Sequence, residues 1–109
     1  MRAMGDRVVI SPFRRFADFY PFYLSEHSNR TNRRLHFVGT TLGVAAIAHS
    51  LSTLNFWWLL AGVVAGYGCA WTGHYFFEKN RPATFSHPIY SFMGDWVMWQ
   101  QMLTGKIKF

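Results

Sequence analysis

Histidine is the residue through which this chain could bind a metal ion or move a proton, because few other reactive side chains are present. The five histidines are His27, His36, His49, His74 and His87. The chain has a single cysteine, which excludes an intramolecular disulfide and a cysteine-based zinc site. This cysteine lies inside an apolar run, which favours a packing role. Imidazole and carboxylate groups are therefore the available ligands for a transition metal.

The stretch CAWTGHYFFEKNRP, residues 69–82, places an imidazole and a carboxylate at the end of a long apolar run. His74 and Glu78 are four residues apart, so both side chains point the same way on an α-helix. Ionisable groups in an apolar helix normally face the protein interior or a wet cavity. The spacing alone leaves two interpretations open: one wall of a functional site, or a hydrogen-bonded pair at the end of a helix.

His27 and His36 are separated by a predicted break in the helix. Their nine-residue separation would place them on opposite faces of one continuous helix. The stretch SNRTN, residues 28–32, reads as a turn followed by a helix start, with Asn29, Thr31 or Asn32 as the cap. The break lets both histidines face a common centre, one from the end of the first helix and one from the first turn of the second.

The pattern of charges predicts the elements that carry these histidines. Residues 35–77 contain no Asp, Glu, Lys or Arg, and one membrane-spanning helix needs about 20 apolar residues. The run therefore predicts two transmembrane helices in a hairpin, at roughly 34–51 and 55–78, with SLSTLN (50–55) as the polar turn. Small residues on both helices would let the two backbones approach closely. They are Gly39, Gly43, Ala46, Gly62, Gly66 and Ala70.

Amphipathic segments flank the hairpin and complete an all-α fold. The aromatic and basic segment before it suits either a membrane interface or packing on the protein, and the segment after residue 88 is read as interfacial or packed on the hairpin. We expect a single membrane-embedded helical domain over residues 1–109, with 1–11 as a loose leader and no evident signal peptide. The alternative is a soluble bundle, which so small a chain could hardly build around two apolar helices.

The basic residues predict the orientation of the hairpin. The chain carries a net charge of +6. Arginines precede the hairpin, Lys79 and Arg81 follow it, and its turn has no charge. The positive-inside rule places both termini in the cytoplasm. With two spans the protein is multi-pass, in a bacterial inner membrane or in the endoplasmic reticulum according to its source.

Four of the five histidines then lie at the cytoplasmic level: His27, His36, His74 and His87. His49 lies near the far turn, where we expect an interfacial or hydrogen-bonding role. Three or four histidines with a carboxylate suit Fe(II), Mn(II) or Zn(II); iron would indicate an oxygenase and zinc a hydrolase. No Walker loop, nucleotide-binding glycine motif or C-x-x-C-H is present. Nucleic-acid binding would need exposed aromatics interleaved with bases, whereas the aromatics here lie in the predicted membrane zone.

Two blocks resemble the signature of the Mpo-like membrane proteins, a family long catalogued as a domain of unknown function. HSNRTNRRLHFVGT matches H-x4-N-x3-H-x2-G, and WTGHYFFEKNRPATFSHP matches W-x2-H-x3-E-x3-P-A. The matching positions are His27, Asn32, His36, Gly39, Trp71, His74, Glu78, Pro82 and Ala83. The two blocks occur in the family's order and cover about residues 20–90, most of the chain.

The resemblance implies multi-pass helices and histidine-bound Fe(II). The family's characterised fungal member is an iron(II)-dependent dioxygenase that shortens 2-hydroxy fatty acids by one carbon with O2. The resemblance implies metal ligands at His27, His36 and His74, and Glu78 matches as a catalytic group, ligand or orienting residue. His87 is a further candidate ligand because of its predicted level at the membrane surface, not because of the resemblance. Arg30, Arg33, Arg34 or Arg81 would hold the substrate carboxylate or, alternatively, contact lipid headgroups. A zinc-dependent lipid hydrolase and a non-enzymatic small membrane protein are the alternatives.

Overall fold

The chain forms four α-helices, as a computed structural model that describes residues 12–109 shows. The helices are α1 (Phe16–Ser25), α2 (Arg30–Thr53), α3 (Trp57–Thr72) and α4 (Pro88–Leu103). A π-helix (Gly73–Glu78) continues α3, and a short 3-10 turn (Ala83–Phe85) precedes α4. No strand occurs among residues 12–109, so the all-α prediction is confirmed. The leader predicted for residues 1–11 lies outside the described residues.

The hairpin of α2 and α3 has the predicted order but different limits. Helix α2 begins at Arg30, before the predicted start, because the Asn29 side chain caps it by accepting a hydrogen bond from the Asn32 amide at 3.1 Å. The helix runs on to Thr53 and ends at Leu54, whose φ of 56° is left-handed. Part of the stretch predicted as a polar turn is therefore helical.

Close approach of two backbones holds the hairpin together. A Cβ atom added at Gly39 would lie 2.9 Å from the backbone oxygen of Gly66, and one at Gly62 would lie 2.7 Å from the Cβ of Ala46. Real Cβ atoms do not approach this closely, so both glycines are needed where the helices cross. The small residues predicted to let the helices meet therefore include positions that do so.

Large apolar side chains cover the outside of this hairpin. Every residue from 51 to 60 is exposed. Only 17% of the most apolar stretch of α2 is buried inside the protein. Among residues 12–109, α2 is the one helix long and apolar enough to cross a membrane by itself. Helix α3 is shorter because its last turns are wound as the π-helix. A buried core helix of a soluble bundle would not leave so much apolar surface uncovered.

Helices α1 and α4 pack at the charged end of the hairpin and form the main buried core. That core consists of Phe19, Tyr23, Ala83, Met98 and Met102. Helix α4 also contacts α2 directly, since Trp99 Nε1 donates a hydrogen bond to Thr41 Oγ1 at 3.0 Å. Of the two interpretations of the last segment, packing on the hairpin is the one observed.

We predict that Gly39→Ala destabilises the protein, while Gly68→Ala does not. Alanine favours a helix over glycine by about 0.5–1 kcal/mol, but at Gly39 the new methyl group must push α3 away, at a cost of about 1–3 kcal/mol. Gly68 has no atom within 4 Å of an added Cβ, so only the favourable effect operates there. Thermal unfolding in detergent should show opposite shifts, and shifts of the same sign would contradict this account of the packing.

Candidate metal centre

Three histidines from three different elements meet at the charged end of the hairpin. His27 follows α1, His36 lies in the second turn of α2, and His74 lies in the π-helix. All three are buried, and one ligand nitrogen from each lies within 4.8 Å of the other two. Their ring centroids are 4.4 to 4.9 Å apart and the rings are close to perpendicular to one another. The three side chains could together hold one metal ion.

The Nδ1 atom of His27 is oriented by the helix that precedes it. It lies 2.6 Å from the carbonyl oxygen of Tyr23, one turn earlier. A carbonyl oxygen only accepts hydrogen bonds, so Nδ1 carries the hydrogen and Nε2 carries the lone pair. The Tyr23 ring stacks on the imidazole with centroids 4.0 Å apart, which holds the ring in this orientation.

His74 is oriented by the residue that reverses the chain after the π-helix. Lys79 adopts a left-handed conformation, and the Asn80 amide then donates to the carbonyl of His74 at 3.1 Å. The same turn brings the side-chain oxygen of Asn80 to 2.7 Å from Nδ1 of His74. The Asn80 side-chain nitrogen donates to the carbonyl of Glu26 at 3.0 Å, which fixes its amide so that the oxygen faces the histidine.

His36 is oriented by a carboxylate from α4. Its Nδ1 lies 3.4 Å from Oδ1 of Asp95, and the same oxygen accepts a hydrogen bond from the Tyr23 hydroxyl at 2.5 Å. Burial and the charge of Asp95 raise the pKa of Tyr23 well above its usual range, so its hydroxyl stays protonated and donates. Carboxylate contacts of this kind orient metal-binding histidines in many proteins.

One ligand nitrogen of each histidine therefore lies near those of the other two. The Nε2 atoms of His27 and His74 are 3.1 Å apart, and since both nitrogens carry lone pairs they do not form a hydrogen bond with each other. The Nε2 of His36 is buried and has no hydrogen-bond partner in the described part of the chain. Converging, unpaired lone pairs in a buried pocket are costly unless a cation lies between them, so this donor set fits a metal ion.

Electrostatics also suit a metal at this position. Burial away from water and the neighbouring His36 hold the pKa of His27 well below its usual range, although the hydrogen bond to Tyr23 opposes this. His27 is therefore neutral near pH 7, which is the state in which an imidazole binds a metal.

Glu78 lies outside the histidine cluster and links α2 to the π-helix instead. Its Oε1 accepts from the Asn29 amide at 2.8 Å and from the Asn32 side chain at 3.0 Å, and its Oε2 accepts from Ser28 at 2.7 Å. Burial would raise the pKa of Glu78, but these three hydrogen bonds outweigh it and lower the pKa, so the carboxylate is charged. His74 and Glu78 both lie in the π-helix, but their side chains have different partners.

The remaining predicted residues lie around the site rather than within the cluster. The His87 ring packs among Phe13, Phe19 and Phe22, and His49 packs edge-on against Trp58 near the far turn. Nη1 of Arg33 donates to the carbonyl oxygens of His27 and Ser28. The other arginines named above lie further out: Arg30 and Arg34 donate to the carbonyl of Phe109, and Arg81 lies over the ring of Phe85.

Comparison with known families identifies one family that this chain matches. The model of the family described as 2-hydroxy-palmitic acid dioxygenase Mpo1-like matches residues 13–107, nearly the whole chain. The chain belongs to the Mpo1-like family. No curated protein and no solved structure matches it. Membership in the Mpo1-like family suggests a dioxygenase and a 2-hydroxy fatty acid substrate.

Three residues that orient the histidines were not predicted from the sequence. Tyr23 is four residues before His27, so a helical one-turn spacing could have indicated its carbonyl and ring as neighbours. Asp95 is the only acidic residue of α4, which is a weaker signal. Asn80 follows the π-helix, and no spacing rule for an α-helix would have placed it against His74 in this member of the Mpo1-like family.

We predict that His74→Ala removes bound metal, whereas His87→Ala retains it. The first change deletes one of three converging nitrogens, and its cost should exceed the about 10–100-fold loss of affinity that follows removal of an orienting partner. The second changes a ring that packs among phenylalanines. Metal analysis of the purified variants measures both, and full metal content in His74→Ala would show that the cluster is not the site.

We also predict that Glu78→Gln destabilises the protein without emptying the metal site. Glutamine is neutral and has one acceptor oxygen where glutamate has two. We therefore expect the free energy of unfolding to fall by about 2 kcal/mol at pH 7. Because the pKa of Glu78 is lowered in the folded state, its contribution is present above about pH 4.5 and disappears as the pH falls and the carboxyl protonates. Unfolding of both proteins from pH 7 to pH 3 should converge; an unchanged difference would contradict the ionic clamp.

Proposed function

We propose that this protein is an Fe(II)-dependent dioxygenase that shortens a 2-hydroxy fatty acid by one carbon. The observation that carries the proposal is the convergence of three buried imidazole ligand nitrogens in a chain of the Mpo1-like family. His27, His36 and His74 would hold the metal. Three protein ligands are typical of catalytic metal sites, which leave other positions open, whereas structural zinc sites are usually closed by four.

The donor set is compatible with iron and also with zinc, since neutral imidazoles bind both. Iron is favoured because the family description names a dioxygenase, and zinc does not take part in redox reactions. Bound Fe(II) would supply the redox chemistry with O2. The chain itself supplies the three oriented nitrogens and keeps them away from bulk water.

The proposed reaction balances without an added reductant. The bond between C1 and C2 of the 2-hydroxy acid breaks, C1 leaves as CO2, and C2 becomes the carboxyl carbon of the shortened acid. C2 gives up three electrons and C1 gives up one, and O2 accepts all four, with water as the remaining product. No second organic substrate is required by this stoichiometry.

Arg33 is the arginine that we propose for binding the substrate carboxylate. Its Nη1 is used by two backbone carbonyl oxygens, but its Nε is buried and has no partner among residues 12–109. Arg33 also lies one turn before His36 on α2, which places it on the side of the helix that carries the ligand. Arg30 and Arg81 have other contacts and lie nearer the solvent.

We propose a different role for Glu78 and no direct role for His87. Glu78 would be a positioning residue that fixes the start of α2 relative to the π-helix, and so fixes His36 relative to His74. His87 would complete the aromatic packing of α1 against the segment before α4. The metal would then have three protein ligands.

The hairpin would cross the membrane twice, with the metal centre at the cytoplasmic surface. Helix α3 and the π-helix together provide an unbroken helical segment, and the outward-facing apolar residues of both helices would contact lipid. Arginine and lysine residues lie at the histidine end, while residues 51–60 at the far turn have no charge. This asymmetry matches the positive-inside rule.

Oxygen uptake by the purified protein tests the proposal. With Fe(II) restored, we expect 2-hydroxypalmitic acid to be consumed with one O2 and one CO2 per molecule and to yield the acid shorter by one carbon, while palmitic acid should not react. His74→Ala should reduce the rate to background. Zinc retained through purification, with hydrolysis of a lipid ester and no oxygen uptake, would instead identify a hydrolase.

A further inference from the structure

An apolar groove with a volume of about 210 Å³ begins beside the histidine cluster and follows the crease between α2 and α3. One face of α2 lines it from His36 to Ile47, and one face of α3 lines it from Leu59 to Ala70. Helix α4 contributes Phe92, Asp95 and Trp96 next to His36. The groove therefore has one end at the metal centre and continues along the two apolar helices.

His36 belongs both to the cluster and to the groove. Its ring lines the groove, and its buried Nε2 has no hydrogen-bond partner among the described residues. Because His36 is a proposed metal ligand, the end of the groove that it lines together with Asp95 is where the polar, metal-binding end of a ligand would lie. From His36 to Ile47 the groove extends about 16 Å along α2, at the 1.5 Å rise per residue of an α-helix. Its shape suits a long, narrow and apolar ligand.

We infer that this groove holds the acyl chain of the substrate and that Gly43 determines how long a chain can enter. The inference rests on the proposed dioxygenase function for the identity of the substrate. The carboxylate end would lie at His36, and the methyl end would point toward Ile47 and Leu59 at the far end.

Gly43 is a groove residue whose missing side chain the helix packing does not require. Gly39 and Gly62 are needed because an added Cβ would collide with the opposite helix. At Gly43 an added Cβ would have no atom within 4 Å, and its φ is an ordinary helical value. Glycine within a helix is unfavourable relative to alanine, so the open space beside Gly43 calls for another explanation, and a bound chain provides one.

The first test compares a long and a short substrate in two matched variants. Gly43→Leu places a side chain part-way along the groove, whereas Gly68→Leu places the same side chain at an exposed position on α3 that is outside the groove and equally free of neighbours. We expect Gly43→Leu to lower the ratio of kcat/KM for 2-hydroxypalmitic acid to that for 2-hydroxyoctanoic acid by about tenfold or more, because the obstruction excludes only the longer chain. Gly68→Leu should keep the wild-type ratio.

A second test measures occupancy without turnover. Palmitic acid with a photoreactive diazirine at its methyl end should label residues near Ile47, Leu59 and Val63, and unlabelled 2-hydroxypalmitic acid should compete the labelling away. Gly43→Leu should reduce labelling at these positions severalfold, and Gly68→Leu should not. Mass spectrometry of the labelled peptides gives the readout.

The outcomes separate this inference from the proposed reaction. Competed labelling at the far end of the groove, in a protein that consumes no 2-hydroxy acid, would support the groove and contradict the dioxygenase reaction. Turnover with an unchanged chain-length ratio in Gly43→Leu, or an equal change in Gly68→Leu, would overturn the assignment of Gly43. If excess phospholipid removes the labelling but free 2-hydroxy acid does not, the groove binds bilayer lipid. That result would also overturn the assignment of the groove to the substrate.

Discussion

The orientation of three buried histidines is the constraint on which this structure depends. Nδ1 of His27 lies against the carbonyl oxygen of Tyr23 and Nδ1 of His74 against the side-chain oxygen of Asn80, while Nδ1 of His36 lies 3.4 Å from a carboxylate oxygen of Asp95. One ligand nitrogen of each histidine is thereby held near those of the other two. The second turn of α2, the π-helix and helix α4 are held in the positions that this arrangement requires. The fold therefore brings together electron pairs that only a cation can satisfy well.

The hairpin combines tight contact with open space along the same pair of helices. Gly39 and Gly62 let the backbones of α2 and α3 touch. This contact holds together the two helical segments that contain His36 and His74. Between those contacts Gly43 borders a gap instead of a neighbour. In a membrane, where lipid tails are as apolar as the helices, packing of small residues is a main source of helix association. The protein can thus be stable at the crossings and still admit an apolar ligand beside them.

Much of the fold and the histidines that cluster could be predicted from the sequence, because the charge-free run, the turn between His27 and His36, and the motif blocks are local signals. The partners of the histidines could not. Asp95 meets His36 only because α4 folds back across α2, and this depends on tertiary packing rather than on spacing. Glu78 and His87 were expected near the metal, but the Glu78 side chain contacts the start of α2 and the His87 ring lies in an aromatic cluster.

Asn80 has a consequence for how this protein can change over evolution. Loops generally tolerate insertions and deletions better than helices do. Here the same residue closes the backbone turn after the π-helix and orients His74 through its side chain. A residue gained or lost between His74 and Asn80 would move the side-chain oxygen of Asn80 away from the His74 imidazole, even if all three clustered histidines were kept. The number of residues between His74 and Asn80 is therefore as constrained as the identity of the histidines.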